Sequence, residues 1–384
     1  MHAGYRSDGS VSISRVSGPH AAGLPGIEPS AERPSAILSG VADLDRRVAE
    51  LGELVDEWLR KSVTETLSAP ARRFAGILEY HFGWRDEQLR ELSERAPSGK
   101  RLRPVLALLV SEGVSGEIEP ARDAAVAVEL IHNFSLVHDD IQDRSALRHH
   151  RPTVWTVWGM PQGINAGDAL FALAQIIVLR GGTALCARLA AELNATALSL
   201  SEGQFLDIAL QNGDVPATLD GYEAMITRKT GVLFACACRM GALAAGAANR
   251  VQDAYAAYGL ELGLAFQEQD DLLGVWGAAS DTGKPDAADV LERKRGLPAA
   301  MALSEPDAPT WLREAYDDPS AEMAPELVER IIEHFDTLDL KARIEQRVGA
   351  RYRRALDCLE AAEPKQPAGS YLAAICESLV ARRA

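Results

Sequence analysis

The stretch HDDIQDRSALRHHRP, from His138 to Pro152, brings three carboxylates close together on one helical segment. A helix turns about 100° per residue, so Asp139, Asp140 and Asp143 fall within an arc of about 100° and share one face. The flanking residues are mostly apolar (AVAVELI before, TVWTVWG after), so this face coincides with a core-facing stripe. Crowded, partly buried carboxylates repel one another and lose hydration, which requires cations to offset it. Oxygen-only ligands with open positions suit Mg²⁺, which keeps water and bridges to phosphates, so the segment predicts a magnesium–diphosphate site between helices.

A second acidic pair, Asp270–Asp271 in FQEQDDLLG, follows about 130 residues later inside another apolar helical pattern. Either cluster alone is also typical of a solvated helix face or of caps at a helix N-terminus. Two clusters, each within a long apolar pattern, favour a shared metal site over that alternative.

The bulk composition favours a large helical protein. The 384 residues are 47% hydrophobic, enough to bury one large core or two modest ones. Aromatic residues make up only 6%, and Ala and Leu are abundant, which favours close-packed helices over a β-sandwich. The net charge of −15 argues against a nucleic-acid partner and a polybasic membrane patch, although local cations still allow an anionic substrate.

The cysteines and apolar runs predict a soluble, cytoplasmic protein. The five cysteines lack metal-finger spacing and fit a reducing compartment. The N-terminus lacks the apolar stretch of a signal peptide. The longest apolar run, Ala169 to Leu179, is too short to span a bilayer unaided, so no transmembrane segment is expected.

The chain divides into two parts by composition. Residues 1–36 contain Gly, Ser and Pro at short intervals and predict a disordered N-terminal extension. This extension is either a solvated leader or a segment that docks a partner or a protein compartment. Helical periodicity begins at Val41 and continues to the C-terminus, so residues 37–384 predict one all-α domain, a single large helical bundle.

Three basic elements punctuate the helical pattern. They are GKRLRP at 99–104, RKTG at 228–231, and Lys284 followed by Arg293-Lys294-Arg295. Basic side chains beside a helix N-terminus form an anion site together with free backbone N–H groups. Lys100 and Arg103, three residues apart, can converge on one phosphate, although such a pair alone also fits a surface patch.

Six ordered motifs together resemble the trans-isoprenyl diphosphate synthases, and most closely the bacterial geranylgeranyl diphosphate synthases. In chain order they are GKRLRP, HDDIQD, RHHRPT, RKTG, FQEQDD and TGKP followed by ERKR, within roughly residues 75–300. The resemblance implies an isoprenoid-synthase-type bundle with a central active-site cavity, working as a homodimer. It also implies a Mg²⁺-dependent, head-to-tail condensation of isopentenyl diphosphate with an allylic diphosphate, for which no nucleophile or dedicated general base is required.

The same resemblance implies roles for individual residues. Three Mg²⁺ ions per active site are expected on Asp139, Asp140, Asp143, Asp270 and Asp271. The expected donors to the allylic diphosphate are Arg148, Lys229 and Lys284. The isopentenyl diphosphate pocket is expected to comprise Lys100, Arg103 and His132, with Lys294 near the cleft mouth. The oxygens of Thr230 and Gln267 are expected to face the developing carbocation.

Four positions depart from the family pattern. Gly274 stands where the second acidic motif usually has a third Asp, and Gly296 replaces a common Thr. Ala278 stands where Asp is frequent, and His149 replaces the second residue of an Arg-Arg pair. We therefore expect one weaker or more hydrated Mg²⁺ site and one diphosphate contact that is pH-dependent or absent.

Product length is expected to depend on the residues one helical turn before Asp139. Phe134 and Ser135 project toward the tail of a growing product. A single aromatic at the fifth position before the cluster is similar to geranylgeranyl synthases and predicts mainly a C20 product.

Two other functions stay open. A class I terpene cyclase also uses an acidic motif and Mg²⁺, but it needs no isopentenyl pocket of the kind that Lys100, Arg103 and His132 predict. A non-catalytic subunit that binds a prenyl diphosphate is supported only by Gly274, Ala278 and His149.

Overall fold

The computed structural model describes residues 35–67, 71–96, 99, 101–277, 287–318 and 323–380. The predicted disordered extension lies outside them except for its last two residues, which belong to a helix that starts at Ser35. Disorder of residues 1–34 therefore stays a prediction, and so do the assignments of Lys100, Lys284 and Ala278, which lie outside the described residues.

The described part of the chain is almost entirely α-helical, which confirms the predicted fold class. The helices of the first half are α1 (Ser35–Thr66), α2 (Arg72–His81), α3 (Leu102–Ser115), α4 (Arg122–Gln142), α5 (Val154–Trp158), α6 (Met160–Leu179) and α7 (Ala184–Asn212). Those of the second half are α8 (Leu219–Ile226), α9 (Val232–Ala244), α10 (Asn249–Trp276), α11 (Ala288–Leu291), α12 (Leu297–Ser304), α13 (Thr310–Asp317), α14 (Pro325–Thr337), α15 (Leu340–Ala361) and α16 (Ala368–Val380). The non-α elements are a 3₁₀ turn (Glu119–Ala121), a π-helical turn (Thr227–Gly231), and the antiparallel strands β1 (Leu147–Arg148) and β2 (Arg151–Pro152).

The core is built around two long helices that carry the acidic clusters. Helix α4 packs against α3 and α6, while α10 packs against α9 and α15. Large side chains such as Tyr222, Phe234, Tyr255 and Tyr258 are fully buried in the core. Burial of each such side chain contributes on the order of 1.5–3 kcal/mol, so the apolar stripes found in the sequence account for the bundle.

Helix α6 contains the longest apolar run. Its 20 residues are long and apolar enough to cross a membrane by length and composition, the one helix among the described residues that is. It also packs against α4, α5 and α7 and buries Leu170, Ala174 and Ile177. A buried core helix of a soluble protein passes the same test of length and composition, so α6 is only weak support for a membrane span, and the cytoplasmic location stays a prediction.

Candidate active site

Two adjoining cavities lie beside the C-terminal half of α4. The larger, of about 700 Å³, is lined by polar groups that include Arg103, His132, Asp140, Arg148 and Asp270. The smaller, of about 390 Å³, extends along the other side of the helix and is lined by groups that include Phe134, Ser135, Asp139, Lys229 and Thr230. Arg103, His132 and Leu136 line both cavities. The helical bundle thus brings one residue from each acidic cluster, Asp140 and Asp270, to one cavity.

The first acidic cluster combines Asp140, which is paired with an arginine, and Asp139, whose charge is only partly offset by a lysine. The Asp140 side chain is 3% exposed and accepts hydrogen bonds from Arg148 Nε at 2.9 Å and Nη2 at 2.8 Å. Burial raises the pKa of Asp139 to about 6; the nearby Lys229 opposes this rise and Asp143 adds to it. Asp143 caps the end of α4 and is exposed to solvent. The cluster therefore stores electrostatic repulsion that a bound cation would relieve.

Lys229 connects this cluster to α7. Its ammonium group forms an ion pair with Asp207, a residue that the sequence-based assignment did not include. Burial alone would lower the pKa of Lys229, but Asp207 and Asp139 outweigh burial and raise it. Lys229 is therefore a fixed positive charge between carboxylates of α4 and α7.

The π-helical turn at Thr227–Gly231 positions Lys229 and Thr230. Such turns occur mostly as single insertions in helices and frequently at functional sites. A close approach by α7 accompanies the distortion: a Cβ on Gly203 would lie 2.6 Å from the Arg228 carbonyl carbon and closer still to Lys229 N. Only glycine at position 203 lets α7 reach this turn.

The second acidic cluster is divided between a cavity and the core. Asp270 is exposed and lines the 700 Å³ cavity, whereas Asp271 is 1% exposed. Asp271 Oδ2 accepts from Tyr222 Oη at 2.7 Å and from Leu297 N at 2.9 Å. Asp271 Oδ1 accepts from Lys294 Nζ at 3.0 Å and from Gln267 Nε2 at 3.1 Å. Four donors hold Asp271, which is an arrangement different from the metal-ligand role expected for it.

Lys294 contacts the second acidic cluster and is not among the residues that line the two cavities, and its expected place near the cleft mouth stays a prediction. Its ammonium group bridges Asp271 Oδ1 and, at 2.9 Å, Asp289 Oδ2. Burial alone would lower the pKa of Lys294, but the two carboxylates outweigh burial and raise it. Lys294 therefore stabilises the base of the second cluster.

Thr230 and Gln267 form a continuous hydrogen-bonded chain with Asp271. Thr230 Oγ1 donates to Gln267 Oε1 at 2.9 Å, and the Gln267 amide nitrogen donates to Asp271. Thr230 lines the smaller cavity beside Lys229. The chain links the π-helical turn to α10, so the two acidic clusters are coupled through polar contacts.

Arg103 and His132 form a half-buried pair at the junction of the cavities. Arg103 Nη1 donates to His132 Nε2 at 3.2 Å, and the Arg103 guanidinium lies 4.5 Å from the centre of the Phe234 ring. Burial and the adjacent Arg103 lower the pKa of His132 well below its ordinary value, which keeps it neutral and able to accept this bond. Arg103 Nε is buried without a hydrogen-bond partner in the described residues. A guanidinium with a buried, unsatisfied N–H group is suited to an anionic ligand.

The β-hairpin after α4 brings three basic residues to the larger cavity. Arg148 binds Asp140 as described, and His149, which has a left-handed φ of 50°, also lines the cavity. Burial and Arg148 lower the pKa of His149. Arg151 is engaged by backbone carbonyls, at 3.0 Å from Tyr80 O and 2.6 Å from Arg85 O.

Phe134 and Ser135 line the smaller cavity. The Phe134 ring lies 5.4 Å from the ring of Phe171 on α6, in an edge-to-face arrangement. Ser135 Oγ donates to His132 O at 2.8 Å, so its hydroxyl is turned back onto the helix backbone. Phe134, which packs on Phe171, therefore bounds the cavity beside the first acidic cluster.

The sequence-based assignment missed residues on α7 and on α11. Gly203, Gln204 and Asp207 lie in GQFLD on α7, and a polar Gln and Asp three residues apart were a usable signal for one face. Gln204 is 9% exposed, lines the smaller cavity, and has no partner for its amide atoms within the described residues. Asp289 could not be predicted as a site residue, because no regular spacing in the sequence relates it to the acidic residues of α10.

The donor set fits a divalent cation, although no three such groups in the described residues already lie close enough to bind one. The pKa of Asp139 is raised by burial and Lys229 offsets this rise only in part, as expected of an oxygen ligand without its bound cation. Asp143 and Asp270 are exposed carboxylates on the two helices that meet beside the cavities. All these ligands are hard oxygens, which Mg²⁺ prefers.

Comparisons with known proteins agree with this geometry. The family described as polyprenyl synthetase matches residues 86–334. A geranylgeranyl diphosphate synthase from Mycobacterium tuberculosis is 40% identical over 285 residues, 73% of this chain and 78% of that protein. A (2E,6E)-farnesyl diphosphate synthase from Mycobacterium bovis is 39% identical over 246 residues, 63% of this chain and 68% of that protein. The crystal structure of a polyprenyl synthetase from Streptomyces coelicolor superimposes with a TM-score of 0.80 at 34% identity, covering 88% of this chain and 99% of that chain. The chain belongs to the polyprenyl synthetase family, whose members are trans-prenyltransferases with an all-α fold that depend on divalent metal ions.

Proposed function

We propose that this protein condenses isopentenyl diphosphate with allylic diphosphates to make mainly geranylgeranyl diphosphate. Trans-prenyltransfer follows from membership of the family, whereas the C20 product and the residue roles are our inference. The observation that carries it is the cavity shared by Asp140 of α4, Asp270 of α10 and the half-buried Arg103–His132 pair. A site with two acidic clusters and a separate basic pair suits two diphosphates.

The allylic diphosphate is assigned to the side of the cavities between the acidic clusters. Three Mg²⁺ ions are expected there, and when bound they neutralise the negative charge that develops on the leaving diphosphate. Asp139, Asp143 and Asp270 would hold them, and Asp140 would join after rearrangement of its Arg148 bond. Asp271 is assigned a different role, as the buried anchor that holds Gln267 and Lys294 in place.

Fixed cations of the chain complete the diphosphate site. Lys229 and Arg148 each pair with a carboxylate, Asp207 and Asp140 respectively. A metal-bound diphosphate offers stronger acceptors than either carboxylate, so both cations can turn to it with a small displacement. Lys284 is proposed as a third donor from the sequence resemblance.

Isopentenyl diphosphate is assigned to the Arg103–His132 pair together with Lys100. The unsatisfied Nε of Arg103 supports this choice, because a diphosphate oxygen would complete its hydrogen bonding. Phe234 and Phe266 line the same cavity and would exclude water from the reacting carbons. Thr230 and Gln267 present oxygens near the site where positive charge develops on the allylic carbon, and the departing diphosphate would take the proton that ends the reaction.

A homodimer is the proposed assembly. Large apolar side chains are exposed along α6 and α7, at Met160, Ile164, Ile176, Leu179, Leu185, Leu198, Phe205 and Ile208. Exposed large apolar side chains are frequent at protein interfaces, and a second copy of the chain is the occupant that the family resemblance implies.

The two alternative functions make different demands on the site. A cyclase would ionise one prenyl diphosphate without isopentenyl diphosphate, and the Arg103–His132 pair would then have no ligand. A non-catalytic binding subunit would bind prenyl diphosphate and leave isopentenyl diphosphate unconsumed.

The test is consumption of isopentenyl diphosphate with C5, C10 and C15 allylic primers, in Mg²⁺ and in excess chelator. We expect isopentenyl diphosphate to be consumed with Mg²⁺ and not in excess chelator. In Arg103→Met the rate of consumption should fall at least about 100-fold, because a charge-assisted contact to the substrate is removed. Hydrocarbon formed from a single prenyl diphosphate would identify a cyclase instead. Binding of prenyl diphosphate without any consumption would identify a binding subunit.

A further inference from the structure

Gly274 lies on α10 where a third carboxylate would complete the second acidic cluster. It is one helical turn beyond Asp270, so a side chain there would share the face of that residue. A Cβ on Gly274 would lie 2.8 Å from Asp289 Oδ1, and closer still to Asp289 Cγ and Oδ2. The space of the missing side chain is therefore already filled by another carboxylate.

Asp289 is held in that space by contacts of its own. It belongs to α11, is 5% exposed, and accepts a hydrogen bond from Lys294 Nζ at 2.9 Å. The same ammonium group binds Asp271 at 3.0 Å and interacts electrostatically with Asp270. Asp270, Asp271 and Asp289 thus surround one lysine.

The charge balance of this group suits a divalent cation. Asp270, Asp271 and Asp289 carry three negative charges, and Lys294 offsets one of them. Without Asp289 the group would carry one negative charge less, and Lys294, whose side chain is 32% exposed, would lose one of its two hydrogen-bonded carboxylates.

We propose that Asp289 supplies the third carboxylate of the second acidic cluster, from the segment after α10 and in the space that Gly274 leaves open. Asp289 acts as a positioning residue: it holds Lys294, which with Tyr222 fixes Asp271, and it keeps the region around Asp270 negative. The site therefore requires Gly at position 274 to make room for Asp289, and the absence of Asp at position 274 is not the loss of a ligand. The inference rests on the proposed function and assigns how this chain builds the metal end of its site.

The test compares Gly274→Asp, Asp289→Gly, Asp289→Asn and the double variant G274D/D289G. The readout is the Mg²⁺ concentration that gives half of the thermal shift produced by Mg²⁺ with inorganic diphosphate. We expect each single variant to raise that concentration about 10-fold or more, equivalent to about 1.4 kcal/mol of lost binding. In Gly274→Asp two carboxylates would collide, whereas the double variant moves one carboxylate from α11 to α10 and should return to within about 3-fold of wild type.

Asp289→Asn preserves size and tests charge if the larger changes unfold the protein. A Gly274→Asp variant that binds Mg²⁺ as tightly as wild type, or more tightly, would overturn the inference. So would an Asp289→Asn variant that loses metal-free stability but keeps its half-saturating Mg²⁺ concentration, since Asp289 would then serve folding alone. If the wild type gives no Mg²⁺–diphosphate shift, the proposed function itself fails, an outcome separate from unchanged variants.

Discussion

At the residue scale, the site contains carboxylates whose burial costs free energy unless a cation is bound beside them. Asp139 shows this most clearly, because burial raises its pKa from an ordinary 3.8 to about 6. A group with a raised folded-state pKa stabilises the protein below its unfolded pKa, and that contribution is lost as pH rises through the folded value. The metal-free protein should therefore lose stability between about pH 4 and pH 6 on account of this residue.

Asp139→Asn removes that charge and separates stability from function. We expect the metal-free variant to be more stable than wild type above pH 6 by about 1 kcal/mol, after allowing for solvent screening, and equally stable below pH 4. Turnover should fall at least about 100-fold because a metal ligand is lost. Thermal melts across pH and an isopentenyl transfer assay measure both effects.

The matched control is Asp214→Asn, which changes an exposed carboxylate on the loop after α7. It should alter neither property. An Asp139→Asn protein that is less stable than wild type at pH 8 would contradict the account of stored repulsion.

Only some of the site residues could be predicted from the sequence. Asp139, Asp140 and Asp270 were identified by spacing, because an acidic cluster in an apolar stripe is unusual. Asp289 was not, because its relation to Gly274 exists only after α11 folds back against α10. Asp270 lines the cavity and Asp271 is buried because one face of α10 packs against Tyr222 and Leu297. The sequence of two adjacent aspartates does not specify which of them lies on that face.

At the element scale, the π-helical turn between α8 and α9 aims Lys229 and Thr230 at the cavities. Helix α7 lies directly against this turn at Gly203. The sequence indicated RKTG as a basic element, but a π-helical turn has no strong sequence signature, so its geometry could not be predicted.

Gly203→Ala should push α7 away from this turn. We expect a loss of about 1–3 kcal/mol in the free energy of unfolding, as in other overpacked cores, together with reduced turnover. Denaturant unfolding measures the first and an isopentenyl transfer assay the second.

Gly52→Ala on α1 is the matched control, because a Cβ there meets no atom within 4 Å. It should be neutral or stabilise the protein by about 0.5–1 kcal/mol through helix propensity. A Gly203→Ala protein that behaves like Gly52→Ala would show that the approach of α7 does not constrain the turn.

At the element scale we also propose that product length depends on the side of α4 that faces α6. The Phe134 ring packs on Phe171 beside the smaller cavity. Phe134→Ala opens this boundary, so we expect products longer than C20, measured by mass spectrometry.

Phe74→Ala on α2 is the control, because Phe74 packs on the core away from the smaller cavity. It should reduce stability and leave product length unchanged. An unaltered product distribution in Phe134→Ala would place the boundary of chain growth at other residues.

At the scale of the whole molecule, composition and periodicity were sufficient to predict an all-α bundle, because long apolar stripes interrupted by Gly and Pro favour few other folds. They did not reveal that α6 and α7 expose an apolar face. The side chains of Ile176 and Leu198 are 51% and 66% exposed, although both occur in apolar helical patterns that predict core positions.

A double variant, Ile176→Glu with Leu198→Glu, tests this face as the dimer interface. We expect half the molar mass of wild type by light scattering, since buried like charges would oppose association. Leu291→Glu, at an exposed leucine on α11, should keep the wild-type mass. If the double variant also keeps that mass, the interface lies elsewhere.

The most direct test of the account is the mass spectrum of products formed from isopentenyl diphosphate, Mg²⁺ and the C5 allylic primer by the purified protein. The two acidic clusters, the Arg103–His132 pair and the Phe134 boundary together predict a predominant C20 diphosphate. Only C15, chains beyond C25, or no incorporation of isopentenyl diphosphate would contradict it.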